Sequence, residues 1–360
     1  MLGGILSNRS RLLGIFRTRP KLEYVIDATT WSPYWDAFYL VRELRNRFGL
    51  DAKISRDPQA ARNTIVHFGD RYVYVDVFQH VMHPSNTLFL TWFHGDPTDS
   101  ENGFDILFAK LKESLDRIKK IVVPCRITLN ALATAGVPQE QLVLIPLGVD
   151  LSLFRPLAHN RKQRLRSMLG IPEHAFCIGS FQKDGLGWDE GDKPKLIKGP
   201  DILLESIATL HRMYPDIFVM LTGPARGYVK KGLTKIGVPF VHHTVKRYQD
   251  MSLYYGATDL CLITSRCEGG PKALLEAWAC KVPVVATCVG MVADCVEHGR
   301  TGMVAPVESV KALVESIREL REHPSLCTTI ITSAYKQVRD FDWKNIAKTY
   351  YTRLYQCPST

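Results

Sequence analysis

Apolar positions along the chain follow two alternating rhythms. Short continuous runs rich in valine, isoleucine and aromatic residues are separated by longer stretches with an apolar residue every three or four positions. The first rhythm suits strands buried on both faces and the second suits helices with one packed face, so the alternation predicts helices laid on parallel sheets. In the first half the predicted strands are LEYVID (22–27), TIVHFG (64–69), TLFLTWF (87–93), KIVVP (120–124) and LVLIP (142–146). Helical patterns fall at 35–49, closed by Gly49, and around 72–83, 102–118 and 126–135. The polar stretch LGVDLSLFRPLAHNRKQ (147–163) holds Pro156, breaks the periodicity and reads as a connector. A second cycle follows, with strands at 176–181, 216–223, 238–243, 259–265 and 282–287 and helices from about 308 to the end. No repeat stands out at a spacing of about 20–50 residues. The pattern predicts two open α/β domains, 1–160 and 161–340, followed by a closing helix at 341–360. Ligands in such sheets bind beyond the carboxyl ends of the strands, here in a cleft between the domains.

Composition narrows the class. A chain of 360 residues with 46% hydrophobic content suits two globular domains. The apolar run VPVVATCVGMVA (282–293) is too short to span a bilayer and contains Pro283 and Gly290. The opening MLGGILSNRSRLLGIFRTRPK lacks the cleavage pattern of a secretory signal. It is basic and apolar, and reads first as a loose arm and second as a peripheral contact with an anionic membrane surface. The net charge of +10 suits a negatively charged ligand or surface. No zinc finger, RNA-binding signature or long basic tract is present, so nucleic acid is not an expected partner. Nine cysteines occur with no CxxC pair, and five of them (Cys261, Cys267, Cys280, Cys288 and Cys295) fall within strand and helix patterns. That usage implies buried free thiols in a reducing compartment, with the cytoplasm as the expected location.

The chemistry concentrates in SRCEGGPKALLEAWACKVP (265–283). Glu268 follows a predicted strand and so emerges at the carboxyl edge of the second sheet. Gly269 and Gly270 make a tight turn with uncovered N–H groups, and Pro271 suits a first helical position. The helix then begins with its positive dipole end and free donors aimed into the cleft. Leu274, Leu275, Trp278 and Ala279 can face the sheet, which leaves Glu276 to look along the cleft. Two carboxylates flanking a row of donors make a template for polyhydroxylated rings, each taking paired hydroxyls. The plain alternative is a pair of surface glutamates near a helix start, where acids are common.

EGGPKALLE, set between ITSRC and KVPVVAT, resembles the signature of the group 1 retaining glycosyltransferases of the GT-B fold. LVLIPLGVDLSLFRP (142–156), the Lys-Gly pair in LIKGPDILLE (196–205) and FDWKNIAKTYYTRLY (341–355) agree in order and spacing, so the resemblance runs from about residue 60 onward. It implies two Rossmann-like domains facing a central cleft, with the acceptor on the first, the nucleotide-sugar donor on the second, and the last helix crossing back onto the first. It also implies that Glu268 binds hydroxyls of the transferred sugar, assisted by the N–H groups of Gly270, Pro271's neighbour Lys272 and the turn between them, and that Glu276 holds the ribose. Lys198 matches the lysine that neutralises the leaving diphosphate, where a preorganised cation lowers the barrier by several kcal/mol. His94 matches the histidine on the floor of the site. His243 and Val245 fall in the nucleobase loop. His242 and His243 could also read as metal ligands, but no third ligand has suitable spacing, and neither metal nor another cofactor is expected.

Three features depart from the family pattern. Ser180 stands where the family carries an arginine, and the polar insertion QKDGLGWDEGDKPK (182–195) follows it, with Lys183 or Lys195 as the substitute cation. The loop ATTWSPYWD (28–36) replaces a glycine pair and places Trp31, Tyr34 and Trp35 against the acceptor, expected to be a sugar or a lipid-linked sugar. Pro271 and Lys272 replace a more frequent aromatic-glycine pattern. The expected activity is transfer of a sugar with retained configuration, for glycan, glycolipid or cell-surface polysaccharide synthesis. A glycoside hydrolase using Glu268 and Glu276 is one alternative, disfavoured if the helix N-terminus lowers both carboxyl pKa values. A non-catalytic nucleotide-sugar-binding module of the same fold is another.

Overall fold

A computed structural model describes residues 21–27 and 32–356. The amino-terminal arm and Trp31 lie outside the described residues.

Among those residues the strands form two six-stranded sheets in which all pairings are parallel. The first contains β1 (Lys21–Val25), β2 (Asp51–Ser55), β3 (Ile65–Phe68), β4 (Thr87–Thr91), β5 (Ile118–Val123) and β6 (Leu142–Leu144), in the order β2-β1-β3-β4-β5-β6. The second contains β7 (Phe176–Ser180), β8 (Ile217–Thr222), β9 (Phe240–His243), β10 (Leu260–Ile263), β11 (Val284–Thr287) and β12 (Met303–Ala305), in the order β12-β11-β10-β7-β8-β9. The order reverses between β1 and β3 in the first sheet and between β7 and β10 in the second. Loops leaving those strands part to opposite sides, and the crevice between them is the place for a ligand.

The strands are near-continuous apolar runs because both faces are covered. In the first sheet Val25, Phe68 and Leu90 pack on one side with Trp92 and Leu107, while Leu22, Tyr24 and Phe89 pack on the other with Trp343 and Tyr350. The second sheet alternates likewise, with Ile178, Val219 and Leu262 on one face and Cys261, Ile263 and Val284 on the other. The segment from Trp343 to Tyr355 therefore completes the core of the first sheet rather than the second. Gly148 makes its crossing possible, since a Cβ there would lie 2.6 Å from the Trp343 ring. Tyr355 donates to or accepts from His67 Nδ1 at 2.5 Å, and His67 Nε2 pairs with Thr91 at 2.8 Å.

Several expected elements differ. β2 and β12 were not predicted: DAKIS alternates charge with small apolar residues at a sheet edge, and MVA is very short. Tyr34 and Trp35 sit in the helix Ser32–Phe48, not in a loop. The predicted connector 147–163 includes the start of the helix His159–Met168, and Phe154 within it is buried. Cys288 is exposed, although Cys261 and Cys280 are buried, and all three are free thiols. Among the described residues no helix is long and apolar enough to cross a membrane.

Candidate active site

A cleft of about 460 Å³ lies at the carboxyl end of the second sheet, with residues of the first domain closing one side. That volume is in the range of small-molecule sites. Its centre is the switch point between β7 and β10. The loop after β7 brings Lys198, the loop after β10 brings Glu268, and Lys198 Nζ donates to Glu268 Oε1 at 2.6 Å. Ser265 Oγ donates to the same oxygen at 2.9 Å. Both charged side chains are mostly buried, at 17% and 11% exposure, so their interaction is only weakly screened.

Backbone geometry fixes this meeting. Lys198 ends a single 3₁₀ turn, and Gly199 then adopts φ +61° so that the helix Pro200–Met213 can start beneath it. A Cβ on Gly199 would stand 1.9 Å from the Thr264 carbonyl, so only glycine lets the lysine turn seat on the end of β10. Thr264 Oγ1 donates to the Gly199 carbonyl at 2.8 Å, and Arg266 N–H donates to Ile197 at 2.9 Å. Gly269 plays the matching part across the cleft. Its Cβ would lie 2.0 Å from the Phe93 carbonyl, which holds the Glu268 loop against the first domain beside His94.

Gly270, Pro271 and Lys272 line the cleft. Pro271 is the residue before the helix Lys272–Ala279, with an extended ψ of 111°, not its first helical residue as expected. Lys272 reaches across the cleft and donates to Asp36 of the first domain at 2.5 Å. Its ammonium is therefore committed to a carboxylate, and burial still raises the Asp36 pKa against that neighbouring charge.

Glu276 departs from the expectation that it looks freely along the cleft. It borders the cleft but is only 4% exposed, with one oxygen accepting from Tyr248 and the other from Tyr255 at 2.7 Å. Burial raises its pKa, opposed by the Lys272 charge and the two hydroxyls. The expected lowering by the helix terminus is outweighed, because desolvation acts on the whole charge while the dipole supplies a fraction of one. Tyr248 in turn stacks on Trp35 at 4.9 Å, so an aromatic bridge from the first domain backs the carboxylate. Trp35 lines the cleft and Tyr34 does not; Tyr34 packs edge-on against the Trp35 ring at 5.2 Å.

His94 stands beside the cleft, with Nδ1 3.6 Å from Cys267 Sγ and its ring edge-on to Phe104. Burial, then the charges of Arg71, Lys198 and Lys195, hold its pKa well below the usual value, so it is a neutral hydrogen-bonding group at pH 7. Val245 lines the cleft, whereas His243 does not: its Nε2 pairs with the Leu169 carbonyl at 3.2 Å and its ring packs on Tyr254. Among the described residues no group of histidine, cysteine or carboxylate side chains is placed to hold a metal ion.

Ser180 is also corrected. It is 1% exposed and faces away from the cleft, accepting from Arg226 Nη2 at 3.0 Å. Arg226, which sequence reasoning missed, occupies the space behind Ser180. Its charge is met there by Asp184, 2.9 Å away, and so by the scaffold. The pair anchors the insertion 182–195. Gly185 bridges to Pro194, and Gly185 and Gly191 both press on the Ala225 backbone. This brings Lys183 and Lys195, from the two ends of the insertion, to the cleft wall near Lys198. Burial lowers the pKa of each; for Lys195 the charges of Lys198 and Lys183 lower it further. Trp188, at the tip, packs over the Lys183 ammonium at 4.2 Å.

Comparison with known proteins agrees with this geometry. Residues 195–337 match the family described as glycosyl transferases group 1. The matched segment lies within the second half of the chain. Curated relatives include a D-inositol 3-phosphate glycosyltransferase of Catenulispora acidiphila, 28% identical over 59% of this chain and 51% of that protein. The enzyme of the same name from an Arthrobacter species is 26% identical over 58% of this chain and 48% of that protein. The chain thus spans about half the length of the curated relatives it matches. Among solved structures, Anabaena HepE in complex with UDP and glucose superposes with a TM-score of 0.75 at 18% identity, covering 94% of this chain and 100% of HepE. Sucrose-phosphate synthase from Thermosynechococcus elongatus gives 0.73 at 17% identity, covering 93% and 99%. The fold is GT-B, two Rossmann-like domains facing a cleft.

Proposed function

We propose that this group 1 GT-B protein transfers a sugar from a nucleotide diphosphate-sugar to an acceptor hydroxyl with retained configuration. One observation carries this reading: Lys198 and Glu268 meet at 2.6 Å on the two loops that flank the switch point. A carboxylate that can take sugar hydroxyls thus lies beside an ammonium that can take phosphate oxygens. Lys198 spends one of its three donors on Glu268 and keeps two for a diphosphate. As the bond from the anomeric carbon to the phosphate oxygen breaks, its electron pair passes to the leaving diphosphate, whose growing charge Lys198, Lys183 and Lys195 stabilise. The acceptor hydroxyl adds from the same face, and its proton passes to the departing phosphate oxygen. In this reading His94, neutral and beside the cleft, bonds a donor-sugar hydroxyl. Gly270, the Pro271 turn and Lys272 shape the donor site, and Glu276, with an acceptor site left on each oxygen beyond its tyrosine bond, takes the ribose. The clustered lysines supply the charge that a divalent cation would otherwise bring, so turnover is expected to be independent of metal. Cytoplasmic location and glycan or polysaccharide synthesis belong to the same proposal.

The hydrolase alternative fits less well. Its acid and nucleophile would be two free carboxyl groups, whereas Glu268 accepts from Lys198 and Ser265 and each oxygen of Glu276 accepts from a tyrosine hydroxyl.

The test is a thermal-shift screen of UDP-, GDP- and ADP-sugars, with UDP-glucose first because HepE is described with it. A true donor at about 100 times its dissociation constant adds about 2.7 kcal/mol of stability. Nucleoside diphosphate should then be released when acceptors are supplied. If no nucleotide stabilises the protein, or if Lys198→Met is stabilised equally, the assignment fails.

A further inference from the structure

The switch point of the first sheet, between β1 and β3, carries a cation that the donor site does not use. Arg71 follows β3 and is 2% exposed, with its guanidinium carbon 4.8, 5.3 and 5.2 Å from the ring centres of Tyr72, Trp92 and Phe104. It makes no ion pair within 4 Å among the described residues, and its Nε has no hydrogen-bond partner. Its one side-chain hydrogen bond among the described residues is from Nη2 to the Tyr72 hydroxyl at 3.4 Å. The nearby Asp70 carboxylate accepts from the Tyr72 N–H at 2.7 Å and acts on Arg71 only as a charge beyond ion-pair distance. A buried guanidinium left with a bare donor is costly unless an anion comes to it. Arg71 also lies one ring from the reacting end of the cleft, since Phe104 touches both Arg71 and His94.

An apolar strip starts beside it. The segment Val73–Phe78 and the helix Phe104–Lys112 run in parallel, with Arg71 against Phe104, Asp76 accepting from Lys110 and Gln79 donating to Ser114. Their inner residues, including Tyr74, Phe78 and Leu107, fill the core. Their outer side exposes Tyr72 at 44%, Ile106 at 58%, Val77 at 58% and Val81 at 50%. These are four of the twelve large apolar side chains the described residues leave exposed; Val77 and Ile106 lie in the two elements and Tyr72 and Val81 at the flanks of the first. Such clustering marks a binding surface more often than scattered exposure does. In this register Tyr72 and Ile106 stand at the Arg71 end, with Val77 and Val81 successively farther out.

We propose that the acceptor is an amphiphilic anion, with a phosphate group on Arg71 and a hydrocarbon chain along Tyr72, Ile106, Val77 and Val81. This names the acceptor class for the transferase reading above and rests on it. Arg71 is a positioning residue that holds the acceptor, one ring away from His94, while its sugar or hydroxyl end faces the donor. The guanidinium suits phosphate because it offers paired, planar donors and is weakly hydrated.

The test uses the full chain and three probes below their micelle concentrations: dodecyl phosphate, inorganic phosphate and dodecyl maltoside. Dodecyl phosphate should bind at least about tenfold more tightly than either of the others, because it alone satisfies both features. Arg71→Met should reduce it to the level of dodecyl maltoside, Arg71→Lys should keep part of the preference, and Ile106→Ser should reduce it toward inorganic phosphate. Ile106 is exposed, so that variant keeps the inference testable if Arg71→Met does not fold. Equal binding of all three probes, or unchanged binding in the folded variants, overturns the proposal. UDP affinity, measured in the same variants, should not move. Failure of wild-type protein to bind any nucleotide would instead sink the donor assignment.

Discussion

The contact between Lys198 and Glu268 makes the sharpest prediction, because it separates stability from turnover. The two groups are 17% and 11% exposed and 2.6 Å apart. Lys198→Met leaves the carboxylate with Ser265 as its remaining donor in a largely desolvated place. Breaking a fully buried pair costs roughly 3–5 kcal/mol, and the residual exposure here brings the expected loss to about 2–3 kcal/mol. Catalysis is affected differently. A preorganised group facing developing charge is worth about 2.7–4 kcal/mol, or about 10²–10³ in kcat. The double variant Lys198→Met/Glu268→Gln removes both charges, so urea denaturation should show most of the lost stability restored. Nucleotide release should stay as low as in the single variant. Two results would refute the reasoning: a kcat for Lys198→Met within about threefold of wild type, or recovery of turnover together with stability in the double variant.

Three further outcomes follow from the same geometry. Glu276→Gln should weaken nucleoside diphosphate binding by about 1.5–3 kcal/mol while leaving inorganic pyrophosphate unaffected, as calorimetry can check; equal loss for both would exclude a ribose contact. Asp184→Asn strands the buried Arg226 charge, so it should cost about 3–5 kcal/mol in urea unfolding and weaken donor binding through the insertion, whereas Asp184→Asn/Arg226→Met should regain stability. Burial lowers the His67 pKa to about 3, and His94 shifts in the same direction. Between about pH 6.5 and 3 the unfolded chain therefore binds protons that the native state does not. The stability is fully present above about pH 6.5 and is lost as pH falls, by up to about 1.4 kcal/mol per pH unit for each histidine. A urea midpoint that stays flat from pH 7.5 to 5 would contradict this.

The parts of this protein that could be read from its sequence are those set by local pattern. Strand runs such as TLFLTWF announce themselves because burial on both faces demands unbroken apolar residues. Once the strands are placed, the residues just after them lie at the ligand edge, which puts His94 and Glu268 there; Lys198, 18 residues beyond β7, and the role of His94 come from the family resemblance. Pairings made across the fold leave no such periodicity. Nothing in GPARG says that Arg226 turns back to Ser180 and Asp184, and nothing in KALLE says that Lys272 crosses to Asp36. Whether an arginine at this site serves a ligand or the scaffold is decided by what surrounds it. Arg226 is buried with a carboxylate at 2.9 Å, so its charge is met by the scaffold. Arg71 is buried just as deeply among rings and has no carboxylate within 4 Å among the described residues. The same distinction explains Glu276. Its place on the helix suggested an acid made stronger by the dipole, yet two tyrosines from a neighbouring helix and turn remove it from water and reverse the shift. For charged residues in this cleft, function follows from which partners the fold has already supplied, and that depends on contacts from segments distant in sequence.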